Sequence, residues 1–130
     1  MRSIGDQLRA IAAKSEQKFE KVYRGTMQEM GRRIILRSPV ATGAFRANWL
    51  ADYVKDNTYD LARTDIGYSE GRMTAKVNQL RTNQKFYFVN SLPYSETLEN
   101  GNSAQAPSGM VKLTAAEFDS IASAEIARVR

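Results

Sequence analysis

The strongest constraint on the fold is a long apolar stripe that no proline interrupts before Pro39. Apolar or small side chains recur every three or four residues, which is the spacing of one face of an α-helix. The stripe comprises Ile4, Leu8, Ile11, Ser15, Phe19, Val22, Thr26, Met30 and Ile34. It predicts one helix over residues 3–37, about 50 Å long from the helical rise per residue. A domain of 130 residues covers less than this length, so we expect part of the stripe to pack on another subunit.

Cysteine and histidine are both absent from the chain, which removes many of the side chains that enzymes use. Without cysteine there are no disulfides, thiolate metal ligands or thiol nucleophiles. Without histidine there is no Ser-His-Asp arrangement, and few transition-metal sites remain open. Residues 101–109 are rich in small residues but lack the Gly-Lys-Ser/Thr ending of a phosphate-binding loop. The composition therefore predicts that the chain is not an enzyme and holds no cofactor.

Glu96 and Glu99 are three residues apart on a predicted short helix, so they share a face. Such a pair could bind a divalent cation or act in acid–base catalysis. However, no third ligand lies near them in the sequence. We therefore expect no metal site: Glu96 is solvated, and Glu99 accepts hydrogen bonds from the backbone of the loop that follows.

The positive charge of the chain is confined to its first segment. Residues 1–37 hold nine Lys and Arg against four Asp and Glu, whereas residues 38–130 hold ten of each, so the first segment carries the whole net charge of +5. A basic helix is either a solvated surface or a surface that meets an acidic partner, a membrane or nucleic acid. No apolar run approaches the roughly 18 residues of a membrane span, so we predict no membrane partner.

The rest of the chain predicts short elements. Strands are predicted over residues 48–54, 58–62, 85–90 and 110–113. The third of these is apolar on both faces, which is typical of a central strand. Residues 69–83 are ambiguous, because only a narrow apolar stripe indicates a helix there. Residues 93–100 predict a short helix that Pro93 begins and Asn100-Gly101 ends.

A capping box over residues 114–117, Thr-Ala-Ala-Glu, predicts the start of the last helix, with Leu113 and Phe118 as its hydrophobic staple. The fold class is therefore α+β, in one domain over residues 1–130: a long N-terminal helix to residue 37, a small antiparallel β-sheet with short helices and loops over 38–113, and a C-terminal helix over 114–130. The predicted core residues are Trp49, Phe86, Phe88, Phe118 and Ile121.

Two segments resemble a known family. Residues 38–46, Ser-Pro-Val-Ala-Thr-Gly-Ala-Phe-Arg, are similar to the Ser-Pro-Val-Asp-Thr-Gly-x-Leu-Arg element of tailed-bacteriophage neck and tail-completion proteins. Residues 90–111 resemble that family's second element, Asn-x-x-Pro-Tyr-Ala followed by Leu-Glu-x-Gly-x-Ser-x-Gln-Ala-Pro-x-Gly-Met. The order and separation of the elements agree, as does the long helix before them. The sequence departs from the pattern at Ala41, where an acidic residue is usual, and at Ser95, where alanine is usual.

This resemblance implies a structural virion protein, not an enzyme. It implies a ring of six or twelve copies in the neck, between the portal or head-closure complex and the tail. The implied partners are further copies of the chain, adjacent neck and portal-side proteins, tail-tube or terminator proteins, and non-specific contact with genome DNA in the channel. The implied location is the virion, with the host cytoplasm during assembly.

A ring requires a heterologous interface, in which one patch meets a different patch on the neighbour. We assign those contacts to the first helix and to the loop around residues 99–110. The candidate interface residues are Lys14, Lys18, Lys21, Tyr94, Glu99, Gly101, Gln105, Pro107 and Met110.

Two other functions remain open at this point. One is a tail terminator, the ring that stops growth of the tail tube, because such proteins have a similar size and a similar mixed architecture. The other is a basic nucleic-acid-binding module, because the first helix could neutralise phosphates and the aromatic side chains of residues 86–88 could stack on bases.

Overall fold

The long first helix predicted from the apolar stripe is present as α1, Ile4–Arg37. The structure is a computed structural model and describes residues 3–129. The further elements are α2 (Ala44–Ala47), β1 (Leu50–Asp52), α3 (Ile66–Asn78), β2 (Tyr87–Val89), α4 (Ser95–Glu99), α5 (Val111–Ala116) and α6 (Phe118–Val129). The predicted α+β architecture, with a long N-terminal helix, a small antiparallel sheet and a C-terminal helix, is confirmed.

Both ends of α1 are set by local hydrogen bonds. At the start, the Ser3 hydroxyl accepts a hydrogen bond from the Asp6 amide at 3.1 Å, which is an N-cap. At the end, Ser38 is extended because it precedes a proline. Arg46 then donates hydrogen bonds to the carbonyls of Leu36 and Ser38. The side chain of Arg46 therefore satisfies carbonyls that the end of a helix leaves without partners.

Helices α6 and α3 pack on the second half of α1, and two glycines lie at the crossings. Helix α6 runs antiparallel to α1, because Glu117 just before it contacts Arg37 while Glu125 lies against Gly25. A Cβ atom at Gly25 would meet the carboxylate of Glu125, and one at Gly31 would meet the sulfur of Met73 on α3. The absence of side chains at these positions allows the close approach of both helices.

The core is centred on Trp49, which follows α2. Its ring stacks on Phe88 with centroids 5.1 Å apart and meets Phe45 edge-on at 5.7 Å. The indole N–H donates a hydrogen bond to the buried Ser38 hydroxyl at 2.8 Å. The other buried apolar side chains of this cluster are Ile34, Ile35, Ala51, Met73, Val77, Leu92, Ala106 and Met110.

The sheet is smaller than predicted. Only β1 and β2 pair in the described residues, antiparallel, with Ala51 opposite Phe88. The prediction of a central strand at residues 85–90 is wrong, because β2 has one neighbour and its side chains are half-buried. The predicted strand at 58–62 does not form. The Asn48 side chain instead bonds the amide and carbonyl of Asp60, at 2.8 and 3.0 Å, and holds this segment as a loop.

The predicted strand at 110–113 is also wrong, because these residues begin α5. Thr114 lies inside α5, where its hydroxyl donates to the Met110 carbonyl at 2.8 Å, and Glu117 is the C-cap residue that follows α5. The predicted capping box therefore does not start the last helix. Helix α6 starts later, at Phe118.

Three predicted core aromatic residues are less buried than expected. Phe118 is 44% exposed, which contradicts its placement in the core. Phe86 and Phe88 are half-buried and pack against the cluster from its edge. Trp49 and Ile121 are buried, as predicted. Within residues 3–129, no helix is both long and apolar enough to cross a bilayer.

Candidate functional site

The first half of α1 projects from the domain. We call residues 4–18 the arm, and every one of them is exposed. The arm carries three large apolar side chains on one face: Ile4 is 76% exposed, Leu8 61% and Ile11 63%. Further along the same face, α6 covers α1 around Gly25. The rest of the domain therefore leaves the first part of the stripe uncovered.

Three lysines flank this apolar face. Lys14, Lys18 and Lys21 are spaced by four and three residues, so they lie on one side of α1, and all are exposed. None of them forms an ion pair within residues 3–129, whereas most of the other basic side chains of α1 do. The arginines with acidic partners are Arg9, Arg24, Arg32, Arg33 and Arg37. The unbalanced charge of the first segment is thus concentrated in these three lysines.

The two segments that carry the family resemblance meet in space. The Gln105 side chain accepts a hydrogen bond from the Val40 amide at 2.9 Å and donates one to the Val40 carbonyl at 3.1 Å. Side chains of both segments, including Phe45 and Tyr94, line a cavity of about 340 Å³ beside this link. Gln105 therefore joins the loop around residues 99–110 to the turn after α1. The sequence placed Gln105 in this loop, but nothing local in it indicated a partner 65 residues away.

Glu99 holds the start of α5. Its carboxylate accepts hydrogen bonds from the amides of Met110, Val111 and Lys112, at 3.0, 2.9 and 2.9 Å. Partial burial raises the pKa of Glu99, but these three backbone hydrogen bonds outweigh it, so that the pKa is lowered overall. The expectation that Glu99 accepts hydrogen bonds from the backbone of the following loop is confirmed. Glu96 is exposed, also as expected.

The remaining candidate residues shape or support the same loop. Gly101 has φ +87°, which favours glycine, and a Cβ atom there would meet the Pro107 carbonyl at 2.5 Å. The side chain of Pro107 is exposed. Tyr94 is 39% exposed and its ring lies 6.1 Å from that of Phe45. Met110 is fully buried and belongs to the core beneath the loop.

Sequence reasoning did not find an apolar groove between α1 and α6. Its walls are formed by Phe19, Val22, Tyr23 and Met27 of α1 and by Phe118 and Ala122 of α6, and its volume is about 290 Å³. Phe19 is 60% exposed and Phe118 is 44% exposed, so the mouth of the groove is aromatic. The signal was present in the sequence, because Phe19, Val22 and Thr26 belong to the apolar stripe. The groove was not predicted because Phe118, which forms part of its wall, was assigned to the core.

The acidic side chains of the described residues do not form a cluster that could bind a metal. Among residues 3–129, no three acidic side chains come close enough together to hold a metal ion. Comparisons with protein-family models, with curated proteins and with solved structures found no match.

Proposed function

We propose that this protein is a structural component of a tailed-phage virion that assembles into a ring in the neck and joins the portal and head-closure complex to the tail. The observation that carries this proposal is the arm: all of residues 4–18 are exposed, and they present large apolar side chains to solvent. A contiguous exposed apolar face on a helix marks a surface that another protein covers. A ring subunit needs such a surface.

The loop around residues 99–110 supports the proposal in a second way. It has little regular structure of its own, yet Gln105 and Glu99 fix its path through hydrogen bonds to backbone groups elsewhere in the chain. Gly101 allows the Pro107 carbonyl to approach closely within the loop. Loops that a scaffold positions in this way commonly carry binding functions. The proposed role is mechanical, and no step in it requires catalysis or a cofactor.

The proposal is tested by deleting the gene from a phage that encodes it and examining the lysate by electron microscopy. A neck protein predicts filled heads and tails of normal length that are not joined. A tail terminator predicts tails of uncontrolled length instead. Normal joined particles would exclude both roles.

A nucleic-acid-binding module is the second candidate, and the three unpaired lysines favour it. Lys14, Lys18 and Lys21 place three positive charges on one side of an exposed helix. Phosphate contacts release counterions, so binding to duplex DNA would weaken steeply as salt is raised. Titration of the purified protein with a duplex of mixed sequence, between low and physiological salt, measures this. Tight, steeply salt-dependent binding by the isolated monomer would favour the module over the ring subunit.

A further inference from the structure

The accessible surface of the chain is too large for a compact monomer. It amounts to 8057 Å², whereas a compact protein of 14.6 kDa exposes roughly 6,900 Å². The excess, roughly 1,100 Å², is comparable with the roughly 800 Å² that each partner contributes to a standard protein–protein interface. The arm, with all of its residues exposed, contributes to this excess. Its burial against one partner would bring the surface back to the usual range.

We propose that the arm of one copy inserts Leu8 and Ile11 into the groove between α1 and α6 of the next copy. This inference deepens the proposed function and rests on it for the ring that repeated insertion would build. The arm and the groove are parts of one continuous α-helix, since the groove is lined by Phe19, Val22 and Met27. An arm therefore cannot fold back into the groove of its own chain, and a second copy must supply it.

The groove matches the arm in size and polarity. A cavity of about 150 Å³ with apolar walls holds a benzene molecule, so a groove of about 290 Å³ has room for two branched aliphatic side chains. Ile4, Leu8 and Ile11 lie along one face of the arm within about 10 Å, from the rise of an α-helix. Packing this face beside Phe19 and Phe118 would place a third helix against α1 and α6.

One unpaired acidic side chain is adjacent in sequence to the groove. Asp119 follows Phe118, which lines the groove, and this exposed carboxylate has no ion pair within residues 3–129. Lys14 and Lys18 flank the apolar face of the arm and are also unpaired. An arm seated in the groove of a neighbour brings these unpaired charges of opposite sign into one region, which favours the pairing of unlike surfaces. Because each copy then uses a different surface on each side, insertion continues from copy to copy until a ring closes.

The chain has no cysteine, so single cysteines provide a direct test. Ile11→Cys protein is mixed with Ala122→Cys protein under mild oxidation, both as purified protein and in assembled particles, and products are separated without reductant. The proposal predicts an Ile11–Ala122 cross-link between two copies. In the doubly substituted protein it predicts a ladder that ends at the closed ring. The matched control pairs Ile11→Cys with Glu96→Cys, which lies exposed on α4 outside the groove, and should give no product.

A second variant distinguishes insertion of the arm from a random encounter of the two cysteines. Leu8→Glu in the arm copy should lower the yield of the Ile11–Ala122 product about tenfold or more, because it places a charge in an apolar groove. Cross-links only between two Ile11→Cys arms would overturn the proposal in favour of a two-fold arm pair. So would the absence of any Ile11–Ala122 product in particles that contain the protein, an outcome that leaves the virion role standing. A ladder of cross-linked oligomers from a protein that is never found in virions would support the inserted arm and contradict the proposed virion function.

Discussion

Arg37 donates two hydrogen bonds to the carboxylate of Glu117, at 2.6 and 2.9 Å, and so ties the last turn of α1 to the turn between α5 and α6. Arg33 donates another to the same carboxylate at 3.1 Å. The hydrogen bond from Arg37, opposed by partial desolvation and supported by Arg33, lowers the pKa of Glu117 from 4.5 to about 2. One carboxylate therefore orients two basic side chains of α1 and links α1 to the residue just before α6.

The lowered pKa of Glu117 predicts that the folded protein loses stability in acid. In the unfolded chain Glu117 takes up its proton near pH 4.5, while in the folded chain it does so near pH 2. Its contribution is therefore fully present above about pH 4.5 and is lost as the pH falls toward 2. Thermal unfolding of the wild type and of Glu117→Gln should show a lower Tm for the variant at pH 7 and a smaller difference at pH 3. Glu96→Gln, at an exposed position, serves as the control and should match the wild type at both pH values.

Glu99→Ala should destabilise the domain by about 2 kcal/mol, because it leaves three amides at the start of α5 without their acceptor. Glu96→Ala, one turn earlier on α4, removes an exposed carboxylate and should change the free energy of unfolding by less than about 0.5 kcal/mol. Urea unfolding at neutral pH measures both. Equal stability of the two variants would show that the carboxylate of Glu99 does not hold α5 in solution.

Gly31→Ala should destabilise the protein although alanine is the better helix former. The new methyl group would meet the sulfur of the buried Met73, and such overpacking costs about 1–3 kcal/mol. Gly71→Ala, on α3, is the matched control because a Cβ atom there meets nothing within 4 Å. It should stabilise the protein by roughly 0.5–1 kcal/mol. A stabilising Gly31→Ala would mean that α3 does not approach α1 as closely as described.

The helices could be predicted from the sequence where a long periodic pattern existed. Helix α1 has such a pattern over nine stripe positions, and its bounds agree with the prediction within a residue at each end. The segment at 110–113 has only four residues, and a short apolar run does not distinguish strand from helix. What decides its structure is Glu99, eleven residues before Met110, whose carboxylate binds the first amides of α5. Local patterns do not contain that information.

The candidate site was also predicted only in part, because the sequence shows local patterns but not contacts between distant residues. The lysines and the uncovered stripe follow from the sequence of α1, and the resemblance pointed to the loop around residues 99–110. The groove between α1 and α6 was not predicted from the sequence, because Phe118 was expected in the core. Phe118 shares a face of α6 with the buried Ile121 and Glu125, but it is the first residue of the helix and lines the groove, where it remains 44% exposed. The face of α6 could be read from the spacing, whereas the extent to which neighbouring elements cover its first turn could not.

Charge reversal at Lys14, Lys18 and Lys21 should weaken assembly without unfolding the monomer. The three side chains are exposed and form no ion pair within residues 3–129. Their replacement by glutamate therefore breaks no ion pair in that part of the chain. If an acidic surface of a neighbour receives them, the triple variant places like charges opposite each other, which costs association. Circular dichroism should match the wild type, while the yield of infectious particles falls. A double variant at Lys55 and Lys85, which adds negative charge at exposed positions outside both α1 and the loop around residues 99–110, is the control and should assemble normally.

The outcomes of this experiment separate three roles for the lysines. Particles of normal infectivity from the Lys14, Lys18 and Lys21 variant would show that these side chains are a solvated surface and not an interface. Unjoined heads and tails would indicate a contact with an acidic protein partner. Joined particles that fail to retain their genome would instead indicate contact with phosphates in the channel. The difference from the wild type should then shrink as salt is raised, because salt weakens the phosphate contacts that the wild type makes and the variant lacks.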